Sequence, residues 1–265
     1  MAETLFHALE PGASAHADAE HQAQQLIYDA WEMVHARDRV ELAKQALALW
    51  SDCADAWLIL AEDEANTLAQ AWECYQQAVA AGERALGKQA FVDDVGHFWG
   101  LLATRPYMRA RQGLARLLKE MDRTDEAAGH LREMLRLNPG DNQGNRYLLL
   151  QLLLAAGRDD ETAELLDEYA GDSLAEWVYG RALLAYRQHG VSVMADRLLQ
   201  AALECNAFVP AYLLGRRRIP RELPATIGFG DNNEAIAYAA DYKLIWKQTS
   251  GALEWLKSGL GKQTS

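Results

Sequence analysis

Apolar residues recur at three- and four-residue spacing along most of the chain, the pattern of helices that each bury one face. From about Ala19 to Ala36 one face carries Leu26, Ala30, Met33 and Val34. A second helix runs through Val40, Ala43, Ala46, Leu47 and Trp50 and stops before Ser51-Asp52, a pair suited to capping the next helix. Ala54, Trp57, Leu60 and Ala61 then open a helical pair that Ala71, Tyr75 and Ala78 close. The cleanest pair spans Met108 to Pro139, with Leu114, Ala115, Leu118, Ala127, Leu131 and Met134 at its packing positions and Asn138-Pro139 as its stop. Arg111, Leu114, Ala115 and Leu118 return 34 residues later as Asn145, Leu148, Leu149 and Leu152. Further pairs follow through Trp177, Gly180 and Leu184, then Ala195, Leu199 and Ala202, with a turn near His189-Gly190.

Two departures from the period stand out. The large-residue position moves from Trp57 to Arg111, a step of 54 rather than 34, so about 20 residues are inserted. The insert holds Gly82, Gly87 and the run Phe91 to Trp99, and an extra helix or a long excursion that packs on the solenoid is expected around Val92 to Leu102. After Gly215 the repeat breaks into Arg216-Arg217-Arg218-Ile219-Pro220. Asn232 and Asn233 are then placed to cap a helix through Tyr238 and Ile245, and a short helix is expected from Ser250 to Leu256.

A 34-residue unit of two helices, with a large residue and a leucine on the first and small-large-small on the second, resembles the tetratricopeptide repeat family. The segments HFWGLLATRPYMRARQGLA, NPGDNQGNRY and GALEWL are similar to a group of bacterial tetratricopeptide proteins, and they bring no catalytic residue with them. The resemblance implies an all-α fold, a right-handed α-solenoid of helix-turn-helix repeats with a C-terminal helical cap. The expected organisation is a loosely ordered start over 1–18, a repeat array over 19–215 with an insert at about 80–107, and capping helices over 216–265. It further implies a protein-binding scaffold whose first helices line a concave groove, with ligand contacts at the second, fifth, ninth and twelfth repeat positions. In the Met108 unit those positions hold Arg109, Gln112, Arg116 and Lys119. The Lys and Asn clamp by which some relatives hold a terminal carboxylate is not matched, because Gln112, Arg116, Tyr147, Ala175 and Tyr179 stand in its places.

Charge narrows the range of partners. The chain has 26 basic and 38 acidic residues, a formal charge of −12. Residues 1–104 carry 17 acidic and 5 basic side chains and the remainder 21 of each, so the excess lies in the amino-terminal part. That field disfavours nucleic acid. No run of about 18 apolar residues is present, so no membrane partner is expected. Without a basic leader, and with three scattered cysteines, Cys53, Cys74 and Cys205, a reducing cytoplasmic location is expected.

The sharpest chemical signal is a basic stripe. Arg105, Arg109, Gln112, Arg116 and Lys119 follow one another at four, three, four and three residues, one face of one helix, with no acid between the first and the last. Guanidinium groups on a groove wall attract carboxylates or phosphates. Asn142, Gln143, Asn145 and Arg146 extend the stripe into the next unit, and Trp99 is placed to fold over the groove. The competing reading pairs these arginines internally with Glu62, Asp63, Glu64, Asp93 or Asp94. Arg111 and Asn145 sit where Trp57 and Trp177 sit elsewhere, so each needs a hydrogen-bond partner or belongs to an open site. The seven histidines show no metal-ligand spacing, Gly228-Phe229-Gly230 lacks a dinucleotide context, and no nucleophile motif is found. The expectation is a scaffold without catalysis, metal or cofactor that binds an acidic or extended segment of a protein or peptide. Self-association, the acidic half of one chain meeting the stripe of another, is the alternative; an enzyme of unrecognised type ranks last.

Overall fold

The computed structural model describes residues 11–262, and every regular element among them is helical. This agrees with the expected all-α class. Two compact units divide at Asn145 and Arg146.

In the first unit, α1 (Pro11–Glu32) pairs with α2 (Ala36–Leu49), α3 (Ala54–Ile59) with α4 (Leu68–Asp93), and α5 (Arg105–Glu120) with α6 (Thr124–Leu137). Small residues allow the close approach. Ala23, Ala30, Ala43, Ala46 and Ala56 are fully buried around Ile27 and Ile59. The buried stripe of α1 is therefore Ala23, Ile27 and Ala30. Met33 and Val34 lie beyond its last residue and are exposed, contrary to the expected face. Of the expected loose start, residues 1–10 lie outside the described residues, whereas 11–18 stand within α1.

Of the two forms expected for Val92 to Leu102, the insert builds no new helix and, past Asp93, runs as an excursion packed on the neighbouring helices. It lengthens α4 to 26 residues, broken at Gly87, whose φ of 69° suits a residue without Cβ. Two 3-10 turns follow, Phe98–Gly100 and Leu102–Thr104. Phe98 is fully buried with Tyr107, Met108, Met134 and Leu137, and Phe91 packs edge-on against Tyr107 at 5.1 Å. The aromatic run is thus core, not a flap.

The helix caps also differ from expectation. Cys53, not Ser51 or Asp52, precedes α3, because Asp52 is drawn to Arg84 at 2.8 Å. The end of α3 widens into a π-helical turn, Leu60–Glu64, a feature that often marks functional sites.

The second unit contains α7 (Asn145–Ala156), which begins at the last residue of the first, then α8 (Asp159–Glu168), α9 (Ala175–His189), α10 (Val193–Cys205) and α11 (Val209–Leu213). The long α12 (Asn232–Gln248) and α13 (Ala252–Lys262) complete it. The expected turn at Gly190 is present with φ 62°. Asp231 caps α12 by accepting from the Glu234 N–H at 2.8 Å, whereas Asn232, the expected cap, accepts from the Tyr212 hydroxyl instead. Tyr238 and Tyr242 stack at 4.6 Å in the core beside fully buried Trp246. Glu234, fully buried, accepts from the Ala175 N–H at 3.1 Å and the Asn206 amide at 2.7 Å, tying α12 to the start of α9.

Candidate functional site

α5 sets the geometry of the basic stripe. Tyr107, Met108, Ala110, Leu114, Ala115, Leu117 and Leu118 are buried, which leaves the intervening polar residues on the opposite flank. The structure then separates their roles. Arg109 forms a bidentate pair with Asp55, Nε to Oδ1 at 2.9 Å and Nη2 to Oδ2 at 2.6 Å, and its guanidinium lies 5.1 Å from the Trp31 ring centre. Asp55 is fully buried and the Arg109 side chain 29% exposed, so this arginine neutralises an internal charge.

Internal pairing therefore holds for Arg109, through an acid the sequence reading did not name. Of the named acids, Asp63 accepts from Arg39 through both carboxylate oxygens at 2.6 Å and Glu64 pairs with Lys44, while Glu62 lies near Arg116. Asp55 precedes Arg109 by 54 residues, the step that relates Trp57 to Arg111. That register was the available signal.

Arg105 donates from Nε to the Trp99 carbonyl at 3.0 Å and lies 5.5 Å from the Trp99 ring centre. Trp99 packs against the Phe98 cluster and braces Arg105 instead of folding over a groove. Gln112 donates to the Gln143 carbonyl at 3.1 Å and to Asn145 Oδ1 at 2.9 Å. Asn145 is buried, and its N–H donates to Asp141 Oδ1 at 2.7 Å, so it is a satisfied structural residue. Arg111 is satisfied likewise, by His130 Nδ1 at 3.1 Å and by the Tyr107 hydroxyl. Asn142 is exposed beside the Asn138 amide at 3.2 Å. Lys119 is partly buried, and Arg116 is exposed near Glu62. Arg146 belongs to the second unit, where Asp172 holds it at 2.8 Å with the Tyr147 ring centre 4.3 Å away.

Two of the cavities that border α5 within the first unit hold residues of the stripe. One, of about 590 Å³, is lined by Tyr28, Trp31, Asp52, Leu102, Arg105 and Arg109 among others. That volume suits a side chain or small ligand. Tyr28 and Trp31, ring centres 5.8 Å apart, remain 51% and 42% exposed. Neither ring was singled out from the sequence, because the apolar pattern of α1 does not distinguish a packed face from an open one. The second cavity, of about 620 Å³, lies beside the π-helical turn and is lined by Glu62, Asn66, Thr67, Tyr75, Arg116 and Glu120 among others. Burial, then the neighbouring Asp63 charge, raises the Glu62 carboxyl above the usual range, and the Tyr75 hydroxyl donates to it at 3.5 Å.

The cavities present aromatic faces and guanidinium groups. Among the described residues no group of three or more His, Cys, Asp or Glu is arranged to hold a metal ion. Cys53, Cys74 and Cys205 are free, and burial pushes the Cys53 thiol up to about 12, far from a reactive thiolate. Among the described residues no helix is long and apolar enough to cross a membrane.

Comparison with known proteins adds relatives. The family model described as ST7 protein matches residues 13–140, which include both cavities. Suppressor of tumorigenicity 7 protein-like from human is 30% identical over 254 residues, 88% of this chain and 44% of that protein. The chicken counterpart is 29% identical over 261 residues, 90% of this chain and 47% of that protein. The chain thus spans about half the length of these curated relatives. Both are vertebrate proteins, so the expected likeness to bacterial proteins gains no support from them. A solved structure described as YrrB, a TPR protein with an unusual peptide-binding site, aligns with a TM-score of 0.49 at 16% identity. It covers 74% of this chain and 93% of its own, a likeness too distant to bear on function.

Proposed function

We propose that the chain is a non-enzymatic protein-interaction scaffold that holds an extended partner segment along α1 and α5 of its first unit. The observation that carries this is the exposure of Tyr28 and Trp31 in a cavity of about 590 Å³ shared with Arg105. Exposed aromatic rings beside a cavity are ordinary anchors of protein recognition. Arg105 has its Nε fixed on the Trp99 carbonyl, which orients the guanidinium before a ligand arrives. An apolar side chain would enter between the rings while a carboxylate or carbonyl meets Arg105. Arg109, already committed to Asp55, contributes its stack on Trp31 and not a free charge. Arg116 lies 11 residues along the helix, about 16 Å at 1.5 Å per residue, the reach of about five extended residues. A cytoplasmic location belongs to the same reading and is supported by the three free thiols.

The test is selection of a random peptide library on the purified protein and on a Trp31→Ala, Arg105→Ala double variant. An aromatic or aliphatic residue with a nearby acid should enrich on the parent protein and be lost on the variant. Equal enrichment on both, or none on either, refutes the assignment.

A further inference from the structure

The loop joining α11 to α12 takes no part in either cavity, and its composition differs from the rest of the chain. Arg216, Arg217, Arg218 and Arg221 fall within six residues, and all four are exposed. Arg217 is used internally, donating to Asn232 Oδ1 at 3.0 Å and lying 5.9 Å from the Phe208 ring centre. Arg216, Arg218 and Arg221 make no ion pair among the described residues. Glu222 is the single acid between Arg216 and Gly230.

The same loop exposes three large apolar side chains: Leu223 at 54%, Ile227 at 48% and Phe229 at 81%. Its path is fixed by backbone contacts: the Asp231 carboxylate accepts from the Gly228 N–H at 2.9 Å, Glu234 accepts from the Gly230 N–H at 2.8 Å, and the Asn233 amide donates to the Thr226 carbonyl at 3.1 Å. These bonds hold the loop without burying Phe229 or Ile227. Single exposed apolar residues need no explanation, but three beside three unpaired guanidiniums make an amphipathic surface.

We propose that this loop docks the second unit on an anionic lipid surface. Its arginines meet the headgroups, and Phe229, Ile227 and Leu223 enter the boundary between headgroups and acyl chains. A phosphate backbone would use the arginines and leave the aliphatic side chains without a role. An acidic protein would have to offer a fitted recess for each of them, whereas a soft planar interface accepts side chains standing singly. The absence of a long apolar run led to an expectation of no membrane contact, but surface docking requires none. The acidic excess that would repel such a surface lies in residues 1–104, while 105–265 are balanced.

The experiment is co-sedimentation of the full chain with phosphatidylcholine vesicles, alone or containing about one third phosphatidylserine, at low and high salt. One variant carries Arg216→Glu, Arg218→Glu and Arg221→Glu; another carries Ile227→Ala and Phe229→Ala. Every altered side chain is exposed, and circular dichroism checks that each variant is folded. The parent chain should bind only the anionic vesicles, with a loss of about tenfold or more in the arginine variant and in high salt. The apolar variant should lose about threefold or more while staying salt-sensitive. No binding to anionic vesicles at low salt overturns the proposal, as does binding that neither variant weakens. An unaffected apolar variant beside a defective arginine variant also overturns it, and points to a soluble polyanion such as an acidic protein.

Discussion

Replacing Arg109 by Met tests the internal role of the stripe. The substitution keeps much of the side-chain length but removes both hydrogen bonds from the Asp55 carboxylate, which has no exposed surface of its own. Stranding a buried charge costs about 3–5 kcal/mol, and because the Arg109 side chain is 29% exposed, water recovers part of it, leaving about 2–4 kcal/mol. Loss of the stack on Trp31 adds about 0.5–1 kcal/mol. Urea unfolding followed by circular dichroism should show the transition of the first unit at lower urea with its steepness unchanged. The double variant Asp55→Asn, Arg109→Met should recover most of the loss, since the stranded charge is gone. A single variant within about 0.5 kcal/mol of the parent would refute the reasoning.

Three further outcomes follow from the packing. Burial, then the Arg111 charge, lowers His130 from the usual 6.5 to about 4, so stability present above pH 6.5 is lost as pH falls toward 4. Discounted for partial exposure this is about 1–2 kcal/mol, and His130→Gln should flatten the acid limb of the first unit's stability curve. Glu176 behaves oppositely: burial raises its carboxyl from 4.5 to about 7, and its Oε2 has no hydrogen-bond partner among the described residues. Its contribution is full below pH 4.5 and lost as pH rises through 7, so Glu176→Gln should stabilise the second unit at pH 8 by about 2–3 kcal/mol in thermal melts. Gly113→Ala would set a Cβ against the Tyr75 ring, 2.9 Å from Cζ, and should cost about 1–3 kcal/mol by urea unfolding, relieved by adding Tyr75→Ala.

The repeats are legible in sequence because two helices can bury a shared seam only with small and large residues at fixed places. Leu114, Ala115 and Leu118 are accordingly buried in α5, as are Leu149 and Leu152 in α7. The insert was less legible. Phe91 and Phe98 look like a separate helix in isolation, but an existing core beside Tyr107 gave them a better burial than a new hairpin would. Caps misled for a similar reason, since Asp52 and Asn232 found tertiary partners that outbid the nearest helix end. The stripe follows from residue spacing, but its charges cannot be assigned without their partners. Arg109 answers an acid one repeat earlier, Arg105 answers a carbonyl, and Arg116 remains exposed. Self-association through the whole stripe loses support on that count, because Arg109 is already spent within its own chain.

Site-specific photo-crosslinking in the native host is the most direct test of the central claim, that the α1 and α5 face of the first unit holds a partner segment. A photoreactive phenylalanine analogue replaces Tyr28 in the cavity or, as control, Gln45, which is exposed on α2. The account predicts a discrete crosslinked partner from position 28 that is absent from position 45 and lost when Arg105→Ala is added. The same adducts from both positions, or none from position 28 while the protein is folded, would contradict it.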